Sequence, residues 1–264
     1  MERQDAAMRL PRQLAAGATV LLLAAGCSRT VATTAMPAAT EAPSPTPAAT
    51  TSTSGPGPVL PRGTFVARAK APALPIFHGP AASTGTRWSF SSRNAFGQPI
   101  EFLVTKTARD AHGTPWLRIL VPTRPNDAAG WVREADVVVH RIRQRIVVDL
   151  SARSLTWFRD GHRQDRFPVG IGAAATPTAT GTFYVWAQVP QASPFGPYGV
   201  FALGLSGFSP VLTDWPGGGR MAIHGTSNPA DQGQMVSHGC VRVYNPNMSL
   251  LRHVPMGTPV VIHA

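Results

Sequence analysis

Short apolar runs broken by turn residues organise the chain from residue 62 onward. Thr64–Ala67, Leu74–Phe77, Ile100–Val104, Trp116–Leu120 and Gly130–Val132 are separated by Gly, Pro and Asn-Asp steps. Strands at this spacing predict a small all-β barrel or sandwich over 62–140. From Arg145 the alternation is cleaner: Ile146, Val148 and Leu150 share one face, Val147 and Asp149 the other, as in a strand facing a core. Leu155–Phe158 reads as the next strand, and the Asp160-Gly161 pair behind it is a tight-turn signal for a hairpin. Phe167–Gly172, Thr182–Trp186 and Val260–Ile262 read as further strands. Asn245-Pro246 offers an N-cap and a proline at the first helical position, which predicts one short helix over Asn247–His253. The expectation is a mainly β chain, with a small module over 62–140 and a β-sandwich with a minor helix over 141–264.

Before residue 62 the pattern changes twice. Arg3, Arg9 and Arg12 precede an apolar run from Leu14 to Ala25 that ends in Ala24-Ala25-Gly26-Cys27. A charged start, a short apolar stretch and small residues at the cut describe an export signal over 1–27; the run is short for a bilayer span. The end resembles a bacterial lipobox, although Ala24 stands where leucine is usual, and that resemblance implies lipidation of Cys27. The alternative is an ordinary cleaved signal with an incidental cysteine. Residues 28–61 are a Thr, Ala, Pro and Ser tract that cannot bury enough apolar surface to offset chain entropy. It reads as a disordered tether that, in a polyproline-like conformation, reaches on the order of 100 Å.

Composition narrows the partners. The formal charge of +11 favours polyanions. Nucleic acid is not indicated, because no Lys/Arg-rich run is interleaved with aromatics and no recognition-helix pattern occurs. The anionic polymers and lipid head groups of a bacterial envelope suit a diffuse basic charge. Hydrophobic content of 43%, with 26 prolines and 25 glycines, agrees with loop-rich β structure plus a linker.

The candidate chemistry lies between His224 and Val243. If Cys27 is used at the membrane, Cys240 is the remaining cysteine, inside Ser237-His238-Gly239-Cys240-Val241-Arg242. Two glycines, two histidines and an arginine do not make the apolar surroundings of an inert core thiol. A thiol attacks as the thiolate, and a nearby histidine makes that state reachable near neutral pH. Two bases are in view: His224, in Ile223-His224-Gly225-Thr226, and His238, which in an extended segment would share a side with Cys240. A zinc site from His224, His238 and Cys240 is chemically conceivable, but no second cysteine or nearby glutamate completes it.

His-Gly-Thr followed by Ser-His-Gly-Cys-Val-Arg resembles the catalytic signature of L,D-transpeptidases of the YkuD type. Thr176–Phe183 upstream and Gly257–Val260 downstream resemble two further blocks of that family. Trp131 in Gly-Trp-Val-Arg, followed by Ala135-Asp136-Val137, resembles the last strands of a bacterial SH3-like module, which either binds wall glycan or peptide or packs on the catalytic unit. The resemblance implies Cys240 as nucleophile and His224 as general base, with no cofactor and no metal. Its substrates would be peptidoglycan stem peptides and its inhibitors carbapenems. It implies backbone donors at Gly239 and Cys240 for the oxyanion, the Gly225 carbonyl as the partner that orients His224, and Ser237 and His238 lining the site. Arg242 either holds a stem carboxylate or is an exposed strand arginine. A water-using cysteine carboxypeptidase or endopeptidase shares the acyl-enzyme step and is the nearest alternative.

Overall fold

The computed structural model describes residues 63–214 and 217–264. The expected signal, Cys27 and the tether lie outside the described residues. Seven strands come first: β1 (Thr64–Ala69), β2 (Ala73–Phe77), β3 (Thr86–Ser91), β4 (Glu101–Arg109), β5 (Pro115–Leu120), β6 (Ala129–Arg133) and β7 (Val137–Ile142). They form one antiparallel sheet in the order β3-β2-β6-β5-β4-β1-β7. Ala67, Leu74, Ile76, Phe102, Leu117, Ile119 and Val132 fill its core. β7 runs two residues past the expected boundary at His140. His140, on β7, places its Nε2 3.3 Å from the buried Glu101 carboxylate.

The second half supplies β8 (Gln144–Asp149), β9 (Ser154–Arg159), β10 (His162–Pro168), β11 (Ile171–Gly172), β12 (Gly181–Pro190), β13 (Phe201–Phe208), β14 (Arg220–Thr226), β15 (Met235–Ser237), β16 (Val241–Tyr244), α1 (Asn245–Leu250) and β17 (Pro259–His263). Eight of these strands make a mixed sheet, β10-β9-β8-β17-β12-β13-β14-β16, while β11 and β15 pair separately. Asp160 and Gly161 both take positive φ, +50° and +82°, the backbone that a two-residue hairpin between β9 and β10 requires. β17 enters parallel to β8 and antiparallel to β12, so the C-terminal strand sits mid-sheet.

β12 joins the two halves because its faces alternate. Phe183 and Val185 enter the core of the second sheet, while Tyr184 and Trp186 pack against the first. Polar contacts fix the seam. Gln98 Nε2 donates to Gln188 O at 2.7 Å and Gln188 N–H returns to Gln98 Oε1 at 3.0 Å. Asn94 Nδ2 donates to Trp186 O at 2.8 Å.

The helix differs from its expectation. It starts at Asn245 with Tyr244 as its cap residue, Leu251–His253 follow as a 3-10 turn, and no side chain caps its start. The Asn245 side chain is used elsewhere: Oδ1 accepts from Val200 N–H at 3.1 Å and Nδ2 donates to Pro194 O at 2.9 Å. A tertiary demand for both ends of the amide outweighs local capping.

Candidate active site

Two adjacent strands build the floor of the site. β14 and β16 run parallel with Ile223 opposite Val241 and His224 opposite Arg242, so Cys240, one residue before β16, lies level with the stretch ending at His224. β16 is the last strand of its sheet, with Gly170 bridged to Arg242 on its outer side, and Cys240 just before it is partly buried. His224 is only 4% exposed. Its Nδ1 lies 2.9 Å from Gly225 O, the carbonyl named from the sequence. A carbonyl only accepts, so that nitrogen carries the proton and Nε2 keeps its lone pair. The Tyr198 ring meets the imidazole edge-on at 5.1 Å between centroids.

Burial sets the charge state of both groups. It pushes the His224 pKa down to about 4, against the Gly225 carbonyl, which favours the charged ring. Burial also raises the Cys240 thiol, opposed by a backbone hydrogen bond from Ala222 and the positive charge of Arg242. The resting pair near neutral pH is therefore thiol and neutral imidazole, not a thiolate–imidazolium pair.

The turn before the thiol is locked by its serine. Ser237 Oγ donates to Cys240 O and accepts from Gly239 N–H at 3.1 Å. Gly239 has φ +111°, a conformation that a residue with a Cβ rarely takes. The extended run ends at Ser237, so His238 and Cys240 flank a bend instead of sharing a strand face; His238 is exposed and Cys240 partly buried. The Gly239 amide, expected to serve an oxyanion, is engaged by Ser237 Oγ. Thr176 Oγ1 donates to Ser237 O at 3.0 Å, and Thr178 Oγ1 accepts from Gly172 N–H at 2.9 Å. The upstream threonine block thus braces the turn from behind.

Arg242 is tied down on one side. Its Nη1 lies 3.3 Å from Asp231 Oδ2, and that buried carboxylate also accepts from Thr226 Oγ1 at 2.8 Å and from Asn228 Nδ2 at 3.0 Å. Its buried Nε has no partner among the described residues. Arg242 is neither the exposed strand arginine of one reading nor a wholly uncommitted carboxylate holder.

A cavity of about 180 Å³ collects His224, Ser237, His238, Cys240 and Arg242. Gly225 and Gly239 do not line it: the first supplies its carbonyl to His224, the second shapes the turn. A Cβ on Gly225 would sit 2.4 Å from Asn245 Oδ1 and 2.9 Å from Val200 N. The remaining wall includes Tyr198, Ser209, Leu212 and Arg220, none of which carries a motif. Among the described residues no group of three or more His, Cys, Asp or Glu could hold a metal ion.

The family model of the L,D-transpeptidase catalytic domain, YkuD, matches residues 143–262. YkuD of Bacillus subtilis, a protein named for L,D-transpeptidase activity, is 32% identical over 151 residues, covering 54% of this chain and 84% of that protein. The chain belongs to the L,D-transpeptidase family. ErfK/SrfK of Escherichia coli, also named for the activity, is 31% identical over 137 residues, 46% of this chain and 44% of that protein. An L,D-transpeptidase crystal structure from Mycobacterium tuberculosis aligns with a TM-score of 0.41 at 17% identity, over 61% of this chain and 71% of that one. The catalytic domain of an Enterococcus faecium L,D-transpeptidase acylated by ertapenem aligns with a TM-score of 0.36 at 25% identity, over 47% and 99%. The family match begins one residue after β7 ends, so the catalytic domain coincides with the second half of the fold.

Proposed function

We propose that this chain is a peptidoglycan L,D-transpeptidase that forms 3→3 cross-links through a thioester on Cys240. The observation that supports this most is the fixed tautomer of His224, with Nδ1 held at Gly225 O and the ring opening on the same cavity as Cys240. His224 Nε2 takes the thiol proton as sulfur attacks the carbonyl between the third stem residue and D-alanine. The C–N bond breaks, the departing amine takes the proton, and the acyl group stays as a thioester. The side-chain amine of a second stem then attacks, its proton returns through His224 to sulfur, and the cross-link closes. The Cys240 amide is the donor we assign to the oxyanion, since the Gly239 amide is occupied. Arg242 turns its remaining donors toward a stem carboxylate.

We place the enzyme in the cell envelope, exported by residues 1–27 and held at the outer face of the membrane by a lipid on Cys27, with 28–61 as tether. Ertapenem acylates the E. faecium relative, and we expect the same class of compound to acylate Cys240.

Purified disaccharide-tetrapeptide incubated with the enzyme should yield D-alanine and a cross-linked dimer by mass spectrometry. Tripeptide without dimer would place the chain among carboxypeptidases instead. Intact mass after a carbapenem pulse should show one adduct, lost in Cys240→Ser. An adduct forming on Cys240→Ser at the wild-type rate would remove the nucleophile assignment.

A further inference from the structure

One wall of the cavity is held from the other half of the fold. Between β13 and β14 the chain leaves the sheet, and Ser209, Leu212 and Gly219 of this excursion line the cavity. Its base is closed by Ser209 N–H donating to Gly219 O at 2.7 Å, and Ser209 Oγ accepts from Leu212 N–H at 3.1 Å. Gly219 has φ +71°, and a Cβ there would lie 1.8 Å from Leu212 O. The excursion is therefore drawn tight at its root, with several carbonyls turned outward to one side.

The turn between β5 and β6 meets those carbonyls. Arg124 Nη1 donates to Ser209 O at 2.9 Å, and Nη2 donates to Leu212 O at 3.0 Å and to Gly218 O at 2.9 Å. Its guanidinium also lies 4.9 Å over the Phe208 ring. Two residues on, Asn126 Nδ2 donates to Phe208 O at 2.8 Å while Phe208 N–H returns to Asn126 Oδ1 at 2.9 Å. From the other side Arg220, stacked 3.9 Å from Trp186 and 4.3 Å from Phe208, donates to Pro122 O at 3.3 Å. A planar fork of donors suits three converging carbonyls in a way that a point charge does not.

We propose that Arg124, with Asn126, is a positioning residue for the transpeptidase reaction: the β5–β6 turn of the first sheet sets the shape of the donor-stem cavity. This rests on the function proposed above. It gives the first sheet a part in substrate fit, through a contact that touches neither Cys240 nor His224. Arg124 is itself solvent-exposed, so water replaces part of what its removal takes away. Misplacing a wall by about 1 Å is enough to weaken a productive fit by one to two orders of magnitude.

The test compares the full chain with Arg124→Ala, Arg124→Lys and Asn126→Ala. Carbapenem acylation is followed by intact mass across concentrations, alkylation of Cys240 by iodoacetamide reports the thiol without demanding cavity fit, and hydrogen exchange is read over 209–214. In Arg124→Ala the half-saturating carbapenem concentration should rise about 10-fold, with maximal rate and alkylation nearly unchanged and exchange over 209–214 faster. Asn126→Ala should show the same split, and Arg124→Lys should fall between. Wild-type concentration dependence and exchange in both alanine variants would overturn the proposal. So would alkylation, acylation and thermal midpoint falling together, since that pattern is a general loss of structure. A wild-type chain that takes no adduct strikes the proposed function instead, and the exchange difference still decides the clamp.

Discussion

The floor and the far wall of the cavity are held by different means. The floor, β14 and β16 with the turn at Gly239, is a ladder of backbone hydrogen bonds completed by contacts within the motif, such as Ser237 to Cys240 and His224 to Gly225. The wall includes segments 194–200, 209–214 and 217–219, which have their own turn hydrogen bonds and are joined to the rest of the fold by side chains reaching from afar: Asn245, Arg124 and Asn126. A ladder fixes many atoms at once and tolerates loss of one bond; a loop with few long-range anchors shifts more readily when one is removed. On the proposed function, the reacting groups sit on the redundant part and substrate fit rests on the part that can be altered one residue at a time. Changes to the floor should act on rate, and changes to the wall on half-saturating concentration.

The largest expected effect is on the floor. His224→Ala should slow carbapenem acylation about 100- to 10,000-fold, the usual cost of removing a general base. His238→Ala should cost much less, because that ring is exposed beside the cavity. Stopped-flow or timed intact-mass acylation gives both numbers. A larger defect in His238→Ala would reverse the choice of base and break the assignment of the floor.

The second effect is on stability and comes from the same imidazole. Its folded-state pKa of about 4 lies below the unfolded value near 6.5. Between these values the unfolded chain takes up a proton that the folded chain refuses, so stability falls as pH drops through this window. Fully realised, the difference between pH 7 and pH 4 is about 3 kcal/mol. Urea unfolding of wild type and His224→Gln at both pH values should show a smaller acid loss in the variant. Equal losses would mean that His224 is not buried in its neutral form. Acylation should likewise stay close to its neutral rate down to about pH 5, since the base remains unprotonated there.

What the sequence disclosed follows the same division. Ile146 and Val148, the Asp160-Gly161 turn and the β17 strand were legible because each is decided by neighbours a few positions away. That Cys240 and His224 meet at one cavity was legible because the motif packs them into two short segments. β13 and β14 were not: Phe201–Phe208 is apolar on both faces with two interior glycines, so no alternation marks it. Tyr198, Ser209 and Leu212 gave no signal, since their place depends on Asn245 and Arg124, 47 residues after Tyr198 and 85 residues before Ser209. Asn245 misled outright, because Asn before Pro carries a strong local cap signal and the fold spends that amide on another loop.

The smallest effect expected, and the sharpest for the comparison, belongs to that amide. Asn245 Oδ1 satisfies Val200 N–H, Nδ2 satisfies Pro194 O, and between these points the chain carries Tyr198 onto the edge of His224. Gly199, at φ +62°, has no room for a Cβ because Asn245 Oδ1 would be 2.2 Å away, so the loop is fitted to this one side chain. Asn245→Ala should cost about 1 kcal/mol in stability and raise the half-saturating donor concentration several-fold, with a maximal rate near wild type. Asn245→Asp keeps the acceptor for Val200 and loses the donor to Pro194, and should lie between. If Asn245→Ala instead cuts maximal rate while leaving half-saturation unchanged, then Tyr198 serves the imidazole and not the substrate. The loop at 194–200 would then belong to the floor, and the line between the two regions would run through Asn245.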